Sequence, residues 1–203
     1  MSLFSQRLDP PINILPSQGQ ANYHGVVLGL AEADYYFEHF LTHIKWQHDQ
    51  AIVFDKKITT KRQVAWYGSQ AFAYTYSKIT RSALPFTPQL LELKKVIETI
   101  TGETYNSCLL NLYQSGDEGM AWHSDNEHQL KRHGAIASIS LGAERSFAFK
   151  HKTSHQTHSA MLEHGSLLVM QGETQSHWLH RLAPTKKITI PRVNLTFRTI
   201  VER

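Results

Sequence analysis

His123 and Asp125 stand two residues apart, and no other feature of the chain restricts its folding as much. In an extended segment side chains alternate between faces, so these two project to the same side while Ser124 faces away. A short strand can therefore aim an imidazole and a carboxylate at one point. A third donor to the same point must come from a segment distant in sequence that pairs nearby in space. His180, in the stretch Thr174-Gln-Ser-His-Trp-Leu-His180, is placed to supply it. His177, three residues earlier, would point to the opposite face of such a strand.

Two histidines and one carboxylate occupy adjacent corners of an octahedral ion and leave the other face open for a chelating co-substrate and dioxygen, as at non-haem Fe(II) centres. In a chain with 13 histidines a His-x-Asp triplet carries little weight alone. The segment Arg192-Val-Asn-Leu-Thr-Phe-Arg198 adds to it. Alternation puts Arg192, Asn194, Thr196 and Arg198 on one face and Val193, Leu195 and Phe197 on the other. Such a strand packs on one side and meets an anion on the other, and guanidinium forks match carboxylates bidentately, so a dicarboxylate would give both arginines a partner. Asn111 and Tyr113 also share a face and add an amide and a phenol for the same anion.

The rest of the pattern predicts an α+β chain, mainly β. Residues 1 to about 22 carry several prolines and read as an irregular lead-in. Tyr36, Phe37, Phe40, Leu41 and Ile44 follow helical spacing and predict a helix over residues 31–46. A second helix has Thr87 as N-cap, Pro88 in its first turn, a stripe of Leu90, Leu93, Val96, Ile97 and Ile100, and Gly102 just past its end. From about residue 105 the pattern changes to short strands, which indicates a β core with helices outside it. With 203 residues and 41% hydrophobic content, one domain is expected. It divides into an N-terminal extension over 1–104 and a core over 105–203. The first residues hold no apolar run with basic flanks, and no stretch approaches a membrane span, so a soluble, intracellular protein is expected. The single Cys108 lies in an apolar run and reads as a buried thiol.

In this order, Asn111-x-Tyr113, His123-x-Asp125, His180 and Arg192-x-Asn-Leu-Thr-Phe-Arg198 resemble the AlkB family of 2-oxoglutarate-dependent nucleic-acid dealkylases. Ile136-Ala-Ser-Ile-Ser-Leu-Gly-Ala143, Gly165-Ser-Leu-Leu168 and Asn13-Ile-Leu-Pro16 extend the likeness over most of the chain. The resemblance implies a double-stranded β-helix (jelly-roll) core and a nucleotide-recognition lid in the N-terminal extension. It implies Fe(II) held by His123, Asp125 and His180, with 2-oxoglutarate anchored by Arg192 and Arg198 and helped by Asn111, Tyr113, Asn194 and Thr196. With dioxygen as co-substrate, decarboxylation of 2-oxoglutarate would be coupled to hydroxylation of an N-alkyl carbon and release of formaldehyde. The lesions implied are of the 1-methyladenine and 3-methylcytosine type, in DNA and by extension RNA, handled by a monomer that is nuclear in a eukaryote.

The segment from Arg62 to Gly68, followed by Tyr74 and Tyr76, is similar to the family's lid. An enzyme acting on a base takes it out of the stack and holds it between flat surfaces. By resemblance Tyr76 and the His123 ring sandwich the base and Tyr74 offers a hydroxyl. Phe54 stands where duplex-acting relatives carry an aromatic wedge, and equally reads as the end of a core strand after Ile52 and Val53. Asp55 departs from the usual glycine there, Ser69 from an aspartate, and Asn126 from a second acid. Asn126 could bond a base edge, and Glu127 could favour a cationic methylated base or be a plain surface acid.

A formal charge of +4 fits a polyanionic partner without requiring one. Basic pairs recur at Lys56-Lys57, Lys61-Arg62, Lys131-Arg132-His133, His151-Lys152 and Lys186-Lys187. The run from His151 to His158 reads as a strand-connecting loop. Three other readings remain open: a 2-oxoglutarate-dependent hydroxylase of a protein or small molecule, a nucleic-acid-binding module whose metal site is degenerate, and a cupin-like β-barrel that binds metal for structure alone.

Overall fold

The structure, a computed structural model, describes residues 7–53, 56–76 and 79–201, with the side chains of 50–53, 56–58, 74–76 and 79–81 excepted. Along the chain come β1 (Arg7–Asn13), β2 (Gln20–Val26), α1 (Leu30–His43), β3 (Gln47–Val53), β4 (Lys56–Gly68), β5 (Ala73–Tyr76), β6 (Ile79–Ser82), β7 (Leu84–Pro85) and α2 (Pro88–Thr101). There follow β8 (Ser107–Tyr113), β9 (Met120–His123), β10 (Ile136–Gly142), β11 (Arg145–His151), β12 (Thr157–Leu162), β13 (Ser166–Gln171), the short α3 (Thr174–His177), β14 (Trp178–Leu182) and β15 (Arg192–Arg198).

The major sheet runs β1-β2-β13-β10-β15-β8-β4-β3 with β7 alongside β4, the minor sheet runs β12-β11-β14-β9, and β5 pairs with β6 in a separate hairpin. The central strands β10, β13 and β15 are buried along nearly their whole length, as strands covered on both faces must be. On one face of the major sheet, Leu110, Ala137, Ile139, Val193, Leu195 and Phe197 pack against Tyr36 and Phe40 of α1 and Leu90, Leu93 and Ile97 of α2. Between the two sheets Ile136, Leu168 and Met170 meet Phe149, Leu162 and Trp178. Two facing sheets with helices on the outer side of one are the jelly-roll arrangement expected.

Thr87 caps α2 by accepting from the Leu90 N–H at 3.3 Å, and Gly102 ends the helix in the left-handed region, as expected. Helix α1 stops three residues short of its expected end. Ile44 is already extended but still 7% exposed in the same core, which is why helical spacing included it, and the Trp46 indole N–H donates to the Phe40 carbonyl at 3.2 Å. The lead-in is also corrected, because β1 and β2 extend the major sheet through β13. Pro10 and Pro11 hid β1 from a pattern search, and proline is tolerated there because β1 is an edge strand. Strand structure thus begins well before residue 105. The segment from Arg62 to Gly68, expected in a lid, lies in β4 and pairs with β8 inside the sheet. Cys108 is fully buried, and burial raises its thiol pKa well above the ordinary value. Among the described residues no helix is long and apolar enough to cross a membrane.

Gly142 joins the sheet to α1. Its φ is 80°, and a Cβ there would lie 2.5 Å from both Phe37 Cε2 and the Pro191 carbonyl. Left-handed strain and overpacking then add, so Gly142→Ala is expected to cost about 2–4 kcal/mol in urea unfolding. A loss under about 0.5 kcal/mol would show that α1 does not press on this corner.

Candidate metal centre and anion pocket

Strand β14 lies between β11 and β9, and its register sets His180 directly opposite His123. The two rings are 4.2 Å apart between centroids. Asp125, just past the end of β9, is held by its own N–H donating to Gln175 Oε1 at 2.9 Å. Donor atoms of His123, Asp125 and His180 all fall within 4.8 Å of one another. The distant third donor is therefore where the spacing argument required it. His177 is not on that strand at all, because Thr174–His177 form a helical turn, and its ring stacks on His151 at 6.2 Å.

The chemistry of the three groups fits a divalent metal. His123 Nδ1 donates to the Ala121 carbonyl at 2.8 Å, which orients the ring with Nε2 3.8 Å from Asp125 Oδ1. His180 is 3% exposed, its Nδ1 has no partner, and burial lowers its pKa to about 4, so it is a neutral imidazole near pH 7. Burial alone would raise the pKa of Asp125. Arg198, 3.1 Å away, together with His180 and His123 outweighs that and keeps the carboxyl below its ordinary pKa. Two histidines and one carboxylate are a ligand set for non-haem iron.

Backbone packing brings the two histidine strands together. A Cβ at Gly119 would lie 2.4 Å from the Leu182 carbonyl, so any larger residue would push the start of β9 away from β14. Arg145, 2% exposed, donates to the carbonyls of Gly116, Glu118 and Ala183 and ties the same two segments. Nothing in the sequence pattern marked Arg145 or Gln175, since both act through partners about 30 to 50 residues away.

Behind the triad, the inner face of the major sheet forms a ladder of polar side chains. Register aligns Ser140, Asn194 and Asn111 across β10, β15 and β8, and Ser138 with Thr196 one rung along. Asn194 donates to Ser138 Oγ at 2.8 Å and the Ile139 carbonyl at 2.9 Å, and Thr196 donates to Asn194 Oδ1 at 3.2 Å. Arg192 donates to Ser140 Oγ at 2.9 Å and lies over the Tyr113 ring. Ser138 and Ser140 were not singled out in the sequence, although the polar alternation in Ile136-Ala-Ser-Ile-Ser carried the signal.

Arg192 is 2% exposed, and among the described residues no carboxylate pairs with it. Burial lowers its pKa to about 10, while its Nε and Asn111 Oδ1 have no partner. A buried guanidinium costs several kcal/mol unless an anion meets it. The two arginines thus divide. Six residues of strand separate them by roughly 20 Å, and Arg198 rests on Asp125 and on Glu127, at 3.6 Å.

The remaining expected residues scatter. Arg62 is buried and paired with Asp49 at 2.5 Å. Asn126 and Glu127 are exposed just past Asp125. Tyr74 and Tyr76 belong to β5, in register with Arg81 and Ile79 of β6, and their side chains lie outside the described residues. Phe54 and Asp55 lie outside them altogether.

A metal at the triad and a carboxylate at Arg192 are what a 2-oxoglutarate-dependent Fe(II) oxygenase requires. The chain is one: the model of the 2OG-Fe(II) oxygenase superfamily matches residues 20–198. Within that superfamily the chain belongs to the AlkB family. The DNA oxidative demethylase ALKBH2 of Bos taurus is 37% identical over 187 residues, which cover 87% of this chain and 67% of the relative. The alpha-ketoglutarate-dependent dioxygenase alkB homolog 3 of Homo sapiens is 39% identical over 188 residues, 88% of this chain and 65% of that protein. ALKBH2 of Mus musculus is 35% identical over 198 residues, 92% of this chain and 83% of the relative. The solved structure of OsALKBH1 has a TM-score of 0.61 at 14% identity, covering 88% of this chain and 97% of that one, which speaks to the fold.

Removing the Arg192 charge separates ligand binding from stability. Arg192→Met is expected to melt no lower than the parent without ligand, since an unpaired buried charge is gone. The parent should gain about 5–10 °C at 2-oxoglutarate concentrations near 100 Kd, and the variant nothing. A large fall in the unliganded melting temperature, with the ligand shift retained, would make Arg192 a structural residue.

Proposed function

We propose that the chain removes alkyl groups oxidatively from N-alkylated bases of the 1-methyladenine and 3-methylcytosine type in DNA, with RNA as the second polymer to test. The observation that carries the reading is the buried, unpaired Arg192 at the far end of a polar strand face whose near end touches the metal-ligand cluster. A keto-diacid has one end that can chelate a metal and a second carboxylate that can pair with a buried guanidinium. Similarity to DNA oxidative demethylases supplies the substrate class. This reading carries with it a monomer working inside the cell.

In this reading His123, Asp125 and His180 would hold Fe(II), which with 2-oxoglutarate and dioxygen would supply the oxidation of the N-alkyl carbon, with succinate, carbon dioxide and formaldehyde as products. The protein positions and desolvates. Arg192, with Asn111, Tyr113, Asn194 and Thr196, takes the distal carboxylate in a site closed to water. Arg198 keeps Asp125 ionised and oriented as well as facing the near end of the co-substrate. His123 is the ligand with the most exposed side chain, at 30% against 6% for Asp125, which favours its ring as the base-facing surface. Tyr76 of the β5–β6 hairpin is the other face of the proposed sandwich and Tyr74 its hydrogen-bond partner. Asn126 and Glu127 lie on the base-edge side, with Arg62 among the substrate-side residues and Phe54 as either a wedge or the end of a core strand.

Formaldehyde release from oligonucleotides bearing 1-methyladenine or 3-methylcytosine, as single strands, duplexes and RNA, tests the reading, with His123→Ala as control. Release well above the control on at least one polymer is expected, and parity on all of them would overturn it. Tyr76→Ala should raise KM for the oligonucleotide about 10-fold, since stacking contributes about 1–3 kcal/mol per base. Succinate formation without nucleic acid should survive that change. A protein or small-molecule hydroxylase would instead tolerate the change in every assay of its own substrate.

A further inference from the structure

Two of the basic clusters, Lys61-Arg62 and His151-Lys152, are engaged in the fold. Lys61 pairs with Asp117 at 2.9 Å, Arg62 pairs with Asp49, and Lys152 donates to the Gln175 carbonyl at 2.8 Å and to Ser124 Oγ at 3.3 Å. Lys131, Arg132 and His133 differ. All three are exposed, and among the described residues none pairs with an acid.

Their loop, between β9 and β10, is nonetheless firmly held. The Lys131 N–H donates to the Thr199 carbonyl at 2.8 Å, the Val201 N–H to Gln129 at 2.8 Å and the Gly172 N–H to His133 at 3.1 Å, while Leu130 bridges to Ile200. Two separate segments, residues 199–201 and Gly172, thus fix the backbone that carries the charges. Between them lies a cavity of about 340 Å³, and its lining joins Asp125 and Arg198 to Asn126, Lys131, Arg132 and Ser176. This is at the lower end of the range for ligand cavities, roughly 300–1,000 Å³. Asp125 and Glu127, the two carboxylates of the lining, both lie against Arg198, so the charges of Lys131 and Arg132 are left without a counter-ion.

We propose that this cavity seats a backbone phosphate of the substrate strand beside the nucleotide under repair, with Lys131 and Arg132 as its cationic wall and Asn126 and Ser176 as polar partners. The inference rests on the dealkylase reading and adds a subsite to it. Phosphate contacts supply sequence-independent affinity and set the register of a strand on a protein. A loop whose backbone is already ordered loses little entropy when the phosphate arrives. Because the same loop carries Asp125 at its start, a phosphate fixed there also fixes how far the adjoining base lies from the metal ligands.

Binding of a methylated single-stranded oligonucleotide, measured by fluorescence anisotropy over a salt series, tests this with the double variant Lys131→Ala/Arg132→Ala. Affinity at low salt should fall about 10-fold, and the slope of log K against log salt should shrink by about 0.7, the value for one phosphate on a single strand. The control Lys45→Ala/Lys95→Ala removes equal charge far from the cavity and should keep the parental slope. An unchanged slope in the first variant, or an equal change in the control, would overturn the proposal. Inorganic phosphate titrated into the parent separates a free-anion site from a strand site. A thermal shift with phosphate alone, combined with an unaltered oligonucleotide slope, would also overturn it. Failure of the dealkylase reading would look different: no formaldehyde from any oligonucleotide, with the difference in slope still present.

Discussion

The structure depends on β15 being buried on both of its faces. One face, Val193, Leu195 and Phe197, closes the core against the helices, while the other points Arg192, Asn194 and Thr196 into the space between the sheets. Apolar burial on the first face is ordinary. On the second, a guanidinium lies in a low-dielectric interior at a cost of several kcal/mol, against a net stability of about 5–15 kcal/mol for a domain. The sheet tolerates this because β10, β15 and β8 share hydrogen bonds along their whole length and because serine and asparagine side chains take up part of the polar load. What they leave unmet is the net charge, and in the proposed function a carboxylate of the co-substrate would meet it, which would link co-substrate binding and stability through one residue.

The minor sheet solves a different problem. Its strands are short, and β9 is held only by β14 on one side, yet two of its features set the metal cluster. Register places the histidines opposite each other, and the close backbone approach at Gly119, with Arg145 bridging three carbonyls, keeps that register from slipping. Asp125 lies beyond the strand and takes its position from Gln175 and Arg198 instead. The cluster is thus built from one sheet pairing and one loop, and the loop also forms the wall of the basic cavity. Chemistry and strand binding would then share a single rigid segment.

Particular residues show how much was readable in advance. The period-two pattern of β15 and the His-x-Asp spacing carry their geometry within a few residues, because extended backbone always sends alternate side chains to opposite faces. The caps of α2 are equally local. Prolines mask strand β1, Ile44 fills the same core after α1 has ended, and the segment from Arg62 to Gly68 runs through the sheet as part of β4. In each case a tertiary contact overrode a local pattern.

The amino-acid sequence by itself determined the chemical inventory: two imidazoles, a carboxylate, two guanidiniums on one strand face, and an order of motifs that places the chain among the AlkB-like oxygenases. It could not decide which guanidinium stands alone. Only the folded chain puts Asp125 against Arg198 and leaves Arg192 buried with no counter-ion among the described residues. It alone leaves Lys131 and Arg132 unpaired beside the metal ligands while Lys61 and Arg62 find acids. The reason is physical. Charge pairing depends on distances of a few ångströms between residues far apart along the chain, and those distances exist only once the two sheets have closed on each other.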